Sequence, residues 1–206
     1  MNAIWSSGSQ LVVRSIANNG LGSPGSVPVA PYTLPANAPQ PGPRGRTKAI
    51  NTGDDRLLGA AFQNNTIYTS NTTGTVSSSL SSSPNPYANA QWYAINTESS
   101  SYNATTTTIT NRNVAYYYPA VAPGNGFVGV EVSGSGSSQT ASAFYVGGSG
   151  TPANFAGGVS SYSLASRWGD YGAAAPDPSN SGSTVWVLGE YAKYSSGWGT
   201  AVTHVP

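Results

Sequence analysis

Three stretches of this chain are built alike: GAAFQNNTIYTS (59–70), PAVAPGNGFVGVEVS (119–133) and GAAAPDPSNSGSTVWVLGEY (172–191). Each opens on small residues, breaks at Asn, Pro or Gly, and resumes with larger apolar residues in alternation. A period of two places alternate side chains on opposite faces of a strand, and Asn, Pro and Gly are turn formers. Each stretch therefore predicts two antiparallel strands, the first made largely of Ala and Gly. Taking Ala61, Val121 and Ala174 as equivalent gives a repeat of roughly 50 to 60 residues. A third strand with an aromatic near its start follows in each unit (Trp92, Phe144, Trp198). A fourth follows in the first two units, over 105–111 and 159–165.

Four antiparallel strands per repeat, graded from small to large side chains, predict an all-β fold of β-propeller blades. First strands crowd a central channel where only small side chains fit, and the larger residues of later strands pack between blades. A sandwich or jelly roll also has short strands, but nothing in it requires that gradient.

Outward from these repeats, the chain divides into a half blade of two strands (1–19, strands at 2–7 and 10–17), a Pro/Gly-rich connector (20–53), and blades at 54–114, 115–166 and 167–206. The last blade lacks its outer strand. The connector is too proline-dense to read as a ladder strand and is expected to lie extended on a surface. About three blades fall short of the four that close a ring. Three explanations stay open. The first choice is the C-terminal piece of a longer propeller. The second is a ring completed by a second copy. The third is end-to-end assembly through open sheet edges, whose unpaired N–H and C=O groups recruit further strands.

Composition sets outer limits. Of 206 residues only 7% are charged and the formal net charge is +1, yet 13 Tyr, 5 Trp and 4 Phe supply bulk for a core. Arg44, Arg46 and Lys48 form the one basic cluster, too small a footprint for a nucleic-acid partner. No apolar run reaches the ~18 residues of a transmembrane helix, and MNAIWSSGSQLVV (1–13) has no basic and apolar signal-peptide pattern. With no cysteine, there are no disulfides, thiol nucleophiles or thiolate metal sites. No metal site and no cofactor are expected. A Cys-free, charge-poor, hydroxyl-rich chain suits an extracellular or cell-surface setting.

DRLLGAAFQNNTIYT (55–69) and RWGDYGAAAPDP (167–178), followed by TVWV and WGT, resemble the last blades of uncharacterised secreted bacterial β-propellers of the seven-bladed, sialidase-like type. The resemblance covers roughly residues 50 to 205 and implies the propeller fold. It carries over no catalytic residue, and the Asp-box of sialidase-type propellers, S-x-D-x-G-x-x-W, is absent from the chain.

Arg167, Trp168, Asp170 and Tyr171 are the candidate ligand-binding residues: a polar pocket at the channel mouth with Trp168 or Tyr171 stacking on a sugar ring. Against this stands a structural role, in which Asp170 accepts hydrogen bonds that lock the start of a first strand and Asp177-Pro178 makes a turn. Asp55-Arg56 occupies the same point of an earlier repeat. Repetition favours structure, so Asp55, Arg56 and Asp177 are read as structural polar residues. Glu131 and Glu190 fall on second strands and are the one acid pair that could converge as in a glycosidase, though in no recognisable motif. His204 is the lone histidine and no G-x-S-x-G elbow occurs, so no catalytic residue is assigned. Trp92, Trp186 and Trp198 are expected in the core between blades. Tyr116, Tyr117 and Tyr118 must face both sides of a strand, with at least one exposed.

The function expected is a non-catalytic extracellular or cell-surface binding or scaffold module, with a glycan or another protein as partner. The alternatives are a self-assembling structural protein joined through edge strands, and part of a propeller glycosidase.

Overall fold

The computed structural model describes residues 7–18, 20–42, 47–75, 88–98, 101–148, 150–164, 166–169 and 172–205. The fold is all-β, built on antiparallel sheets of up to four strands. Strands β5 (Gly59–Gln63), β6 (Thr66–Thr73), β7 (Asn89–Asn96) and β8 (Asn103–Ile109) form one four-stranded sheet in chain order. A second comprises β9 (Ala115–Pro123), β10 (Val128–Ser135), β11 (Ser142–Val146) and β12 (Ala153–Ala156). A three-stranded sheet follows from β13 (Ala173–Pro176), β14 (Val185–Tyr194) and β15 (Gly197–Val205).

Turn chemistry sets the first hairpin. Gln63 pairs with Thr66, leaving Asn64 and Asn65 as a two-residue loop with φ of 48° and 54°. Such loops need left-handed residues, which Asn tolerates better than most. Between β13 and β14, Asp177 caps the short 3-10 turn Pro178–Asn180 by accepting from the Ser179 amide at 2.8 Å.

The N-terminal part differs from expectation. The strand expected over 2–7 lies, apart from Ser7, outside the described residues. β1 (Ser7–Val13) pairs with β4 (Gly25–Thr33), which runs through Pro28 and Pro31 inside the supposed connector. Both strands are edges of a two-stranded sheet, where a missing N–H is tolerated. A small hairpin, β2 (Ile16–Ala17) with β3 (Gly20–Leu21), lies between them in sequence. Over 34–42 and 47–53 the connector stays largely at the surface but is pinned by buried Ala38, Gln40, Ile50 and Thr52. Ala38 and Ile50 bridge to each other and are fully buried, and Gln40 takes Tyr162 into a two-way clamp. Its Nε2 donates to the Tyr162 carbonyl at 2.9 Å while its Oε1 accepts from the Tyr162 amide at 2.7 Å.

The outer strand of the second sheet is also displaced. Residues 153–156, not 159–165, pair with β11. Segment 159–163 instead hydrogen-bonds to the end of β14, Val159 N–H to Ala192 and Ser163 N–H to Ser195.

The sheets stack face to face in chain order. Leu11 and Val27 of the β1–β4 sheet meet Tyr93 and Ile95 of β7. Ala90 and Ile109, with Tyr68 and Trp92, meet Val121, Val130, Val132 and Phe144 of the next sheet. Ala122 and Tyr145 then meet Val185, Val187 and Val205 of the last. Burying each of these valines contributes about 1.5–3 kcal/mol. The apparent equivalence of Ala61, Val121 and Ala174 slips by one residue. Val121 and Ala174 face the preceding sheet, whereas Ala61, opposite Tyr68, faces the following one. A shift of one position in a strand reverses the face.

Candidate functional site

The first strands of the three larger units draw together. Gly59–Ala61 of β5, Pro119–Val121 of β9 and Gly172–Ala174 at β13 line a single cavity of about 260 Å³. Small side chains permit that approach. Beside it opens a polar groove of about 400 Å³ lined by Asn51, Asp54, Arg56, Leu58, Tyr118 and Arg167. Leu58 and Tyr118 line both.

Tyr118 is the centre of this arrangement. The β9–β10 register shifts where Tyr118 and Pro119 oppose Val132, a β-bulge, and Tyr118 adopts a φ of 51°. A left-handed non-glycine residue costs on the order of 1 kcal/mol or more and persists only where its surroundings hold it. Here its amide donates to Thr72 Oγ1 at 2.9 Å, and Ser70 Oγ donates to the next carbonyl, Pro119, at 2.8 Å. Its hydroxyl donates to the Asn51 carbonyl at 3.1 Å. The bulge thus turns the ring out of the ladder and into the groove. Of the tyrosine triplet, Tyr116 packs on the first sheet's side and Tyr117 in a separate fully buried cluster. Tyr118 alone stays half-exposed.

The sequence candidates fall on different sides of this site. Arg167 is exposed and lines the groove. Trp168, its neighbour, is 3% exposed and packs edge-to-face on Tyr162 with ring centres 4.8 Å apart. Its ring faces are not presented to a ligand. Asp170 and Tyr171 lie outside the described residues, as do Arg44 and Arg46. Arg56 lines the groove too, held by Asp54 through Nε contacts of 2.9 and 2.8 Å to the two carboxylate oxygens. That pairing keeps the Asp54 carboxyl below its ordinary range. Asp55 turns inward, 3% exposed, and neither of its carboxylate oxygens has a hydrogen-bond partner. Desolvation raises its pKa, with Asp54 adding to the effect. Asp177 accepts from Ser179 and, at 3.0 Å, from Trp186 Nε1, which fastens the turn to β14.

Glu131 and Glu190 do come close enough to interact. Glu131 is fully buried and neither carboxylate oxygen has a hydrogen-bond partner. Burial, and then the charge of Glu190, push its pKa well above the carboxylate range. Glu190 Oε2 accepts from the Gly169 amide at 3.1 Å. Glu131 has no exposed surface and touches no groove, so this pair does not flank a site where a sugar could lie. Among the described residues no group of three His, Asp or Glu side chains could hold a metal ion, and no helix is long and apolar enough to cross a membrane.

Sequence reasoning missed Tyr118 as a site residue. The consecutive tyrosines were the visible signal, but the bulge that singles out the third is set by tertiary contacts to Ser70 and Thr72. Trp186 and Trp198, expected inside, are 44% and 55% exposed on the last sheet. Comparison of the chain with protein-family models, curated proteins and solved structures finds no match.

Proposed function

We propose that this chain is a non-catalytic binding module of propeller type, extracellular or cell-surface, which takes a glycan in the groove around Tyr118. One observation carries the reading. Three small-residue first strands converge on a shared cavity, and a groove carrying Arg56, Arg167 and Tyr118 opens beside it. Convergence of first strands is what blades around an axis require. Planar guanidinium groups, a phenol and the Asn51 side-chain amide offer the donors and acceptors that sugar hydroxyls need, and a half-exposed ring offers a stacking face. Among the described residues the groove's one carboxylate is Asp54, which is already paired with Arg56, and this supports recognition over hydrolysis.

The test is a glycan array probed with the purified chain, followed by titration calorimetry of any hit with Arg167→Ala. The expected result is selective binding that falls about tenfold or more in the variant, the loss of a charge-assisted hydrogen bond. Silence across the array from a folded sample, or a hit indifferent to Arg167→Ala, refutes the reading.

A further inference from the structure

We propose that the core between the β1–β4 sheet and the β5–β8 sheet opens into a second binding site. Its ligand is a medium-chain aliphatic carboxylate, with the chain inward and the head group on Arg14. Between these sheets Leu11 and Val27 pack on Tyr93 and Ile95, and β4 lies against β8. Beneath β1 that apolar layer does not close. A cavity of about 310 Å³ remains, walled by Leu11, Leu57, Ile67 and Ile95. Small molecules bind in concave, mainly apolar spaces of roughly 300 Å³ or more, oriented by a few polar groups.

Two features choose the ligand. The first is the rim. Ile16 and Leu21 face each other across the β2–β3 pair, line the cavity and are 84% and 64% exposed. An alkyl chain that fills the cavity also covers these two side chains, so it removes more apolar surface from water than its own. The second is charge. Among the residues that line the cavity, only Thr69 and Arg14 carry polar side chains. The Thr69 hydroxyl donates to the Gly59 carbonyl at 2.5 Å, which leaves Arg14 to meet a head group. Arg14 is exposed, and its guanidinium has no ion pair or hydrogen bond among the described residues. A guanidinium holds a carboxylate through two parallel N–H···O bonds. Apolar walls with one unpaired cation at the edge therefore suit a molecule with one long apolar part and one anionic end. They offer a neutral or cationic amphiphile nothing at its head, and they leave a sugar's hydroxyls without partners. The cavity shares Leu57 with the Tyr118 groove but neither Arg56 nor Arg167, so this proposal and the glycan reading can fail separately.

The test is titration calorimetry of the full chain with decanoate below its micelle concentration, beside octanoate, butanoate, decanol and decyltrimethylammonium. Decanoate is expected to bind at a single site, with affinity rising about fourfold for each methylene between octanoate and decanoate. Butanoate, decanol and the cation are expected to bind about tenfold or more weakly. Arg14→Gln should weaken decanoate about tenfold and leave decanol unchanged, because only the charge-assisted bond is lost. Leu21→Glu, on the exposed hairpin, puts a negative charge at the mouth and should weaken decanoate too, with unchanged far-UV circular dichroism. No decanoate binding, decanol or the cation binding as tightly as decanoate, or indifference to Arg14→Gln would each overturn the proposal. Butanoate binding as tightly would also overturn it, since it reports a bare anion contact. So would co-sedimentation with phosphatidylglycerol vesicles in the absence of a decanoate complex, which would put a membrane surface in place of a free ligand.

Discussion

Gly189 on β14 lies directly over the carboxylate of Glu131 on β10: a side chain at Gly189 would collide with Glu131 Oε1 and fall 2.7 Å from the Ala143 Cβ. Gly172 stands in the same relation to Glu131 Oε2. The last sheet therefore closes on the second because two positions opposite a buried acid carry no side chain. Neither neighbour can swing clear, since Glu131 and Ala143 are both fully buried. Gly189→Ala is expected to destabilise by about 1–3 kcal/mol, the cost of overpacking a filled interior. Urea unfolding reads this directly, and a stability equal to that of the unaltered protein would show that the sheets separate without penalty.

The same acid gives stability a pH dependence of known sign. Glu131 folded holds its proton well above 4.5, its ordinary value, whereas the unfolded chain releases it there. Its contribution is complete below 4.5 and is lost as pH rises through the folded value. In that window stability falls by about 1.4 kcal/mol per pH unit for this group. Asp55, also raised by burial, acts in the same direction from its ordinary 3.8. Glu131→Gln stays neutral throughout, so its stability-against-pH curve should be flatter than that of the unaltered chain by one proton equivalent. Parallel curves for the two proteins would exclude a protonated Glu131.

Tyr93 is fully buried, and its hydroxyl lies 3.1 Å from Asn71 Oδ1 and 3.0 Å from Gln91 Oε1. Both amides are themselves buried. Tyr93→Phe removes the donor and strands an acceptor, at a cost of about 1–3 kcal/mol. Thermal or urea unfolding measures it, and a neutral result would mean that water reaches this cluster.

Arg167 and Trp168 are sequence neighbours with opposite environments. Trp168→Phe should lower stability, because the indole fills a core cluster with Tyr117 and Tyr162, and should leave ligand affinity unchanged. Arg167→Ala should do the reverse. Loss of glycan affinity in a folded Trp168→Phe protein would move the site away from the groove.

The architecture was legible where residues interact locally. Small first strands, Asn and Pro turns and alternating apolar runs announced the hairpins, because each depends on near neighbours. Three strands escaped, the two-residue β3 with β4 and β12. β4 was hidden by Pro28 and Pro31, which an edge strand can hold, and β12 by the absence of alternation in four residues. The site was less visible. Arg167 was named for its charge, whereas Trp168 beside it turned inward, a choice made by Tyr162 from six positions away in the chain. Tyr118 owes its place to a bulge fastened by Ser70 and Thr72, and no local pattern encodes that.

The chain-order stacking of the sheets has a consequence for synthesis. Each larger sheet draws on one contiguous stretch, so its hairpins can close as soon as that stretch has left the ribosome, without waiting for distant partners. Its forward face then stays wet until the following stretch emerges to cover it. The nascent molecule would thus carry one sticky surface that advances along the polypeptide, and a pause between Ile109 and Ala115, or between Ala156 and Ala173, would leave it open longest.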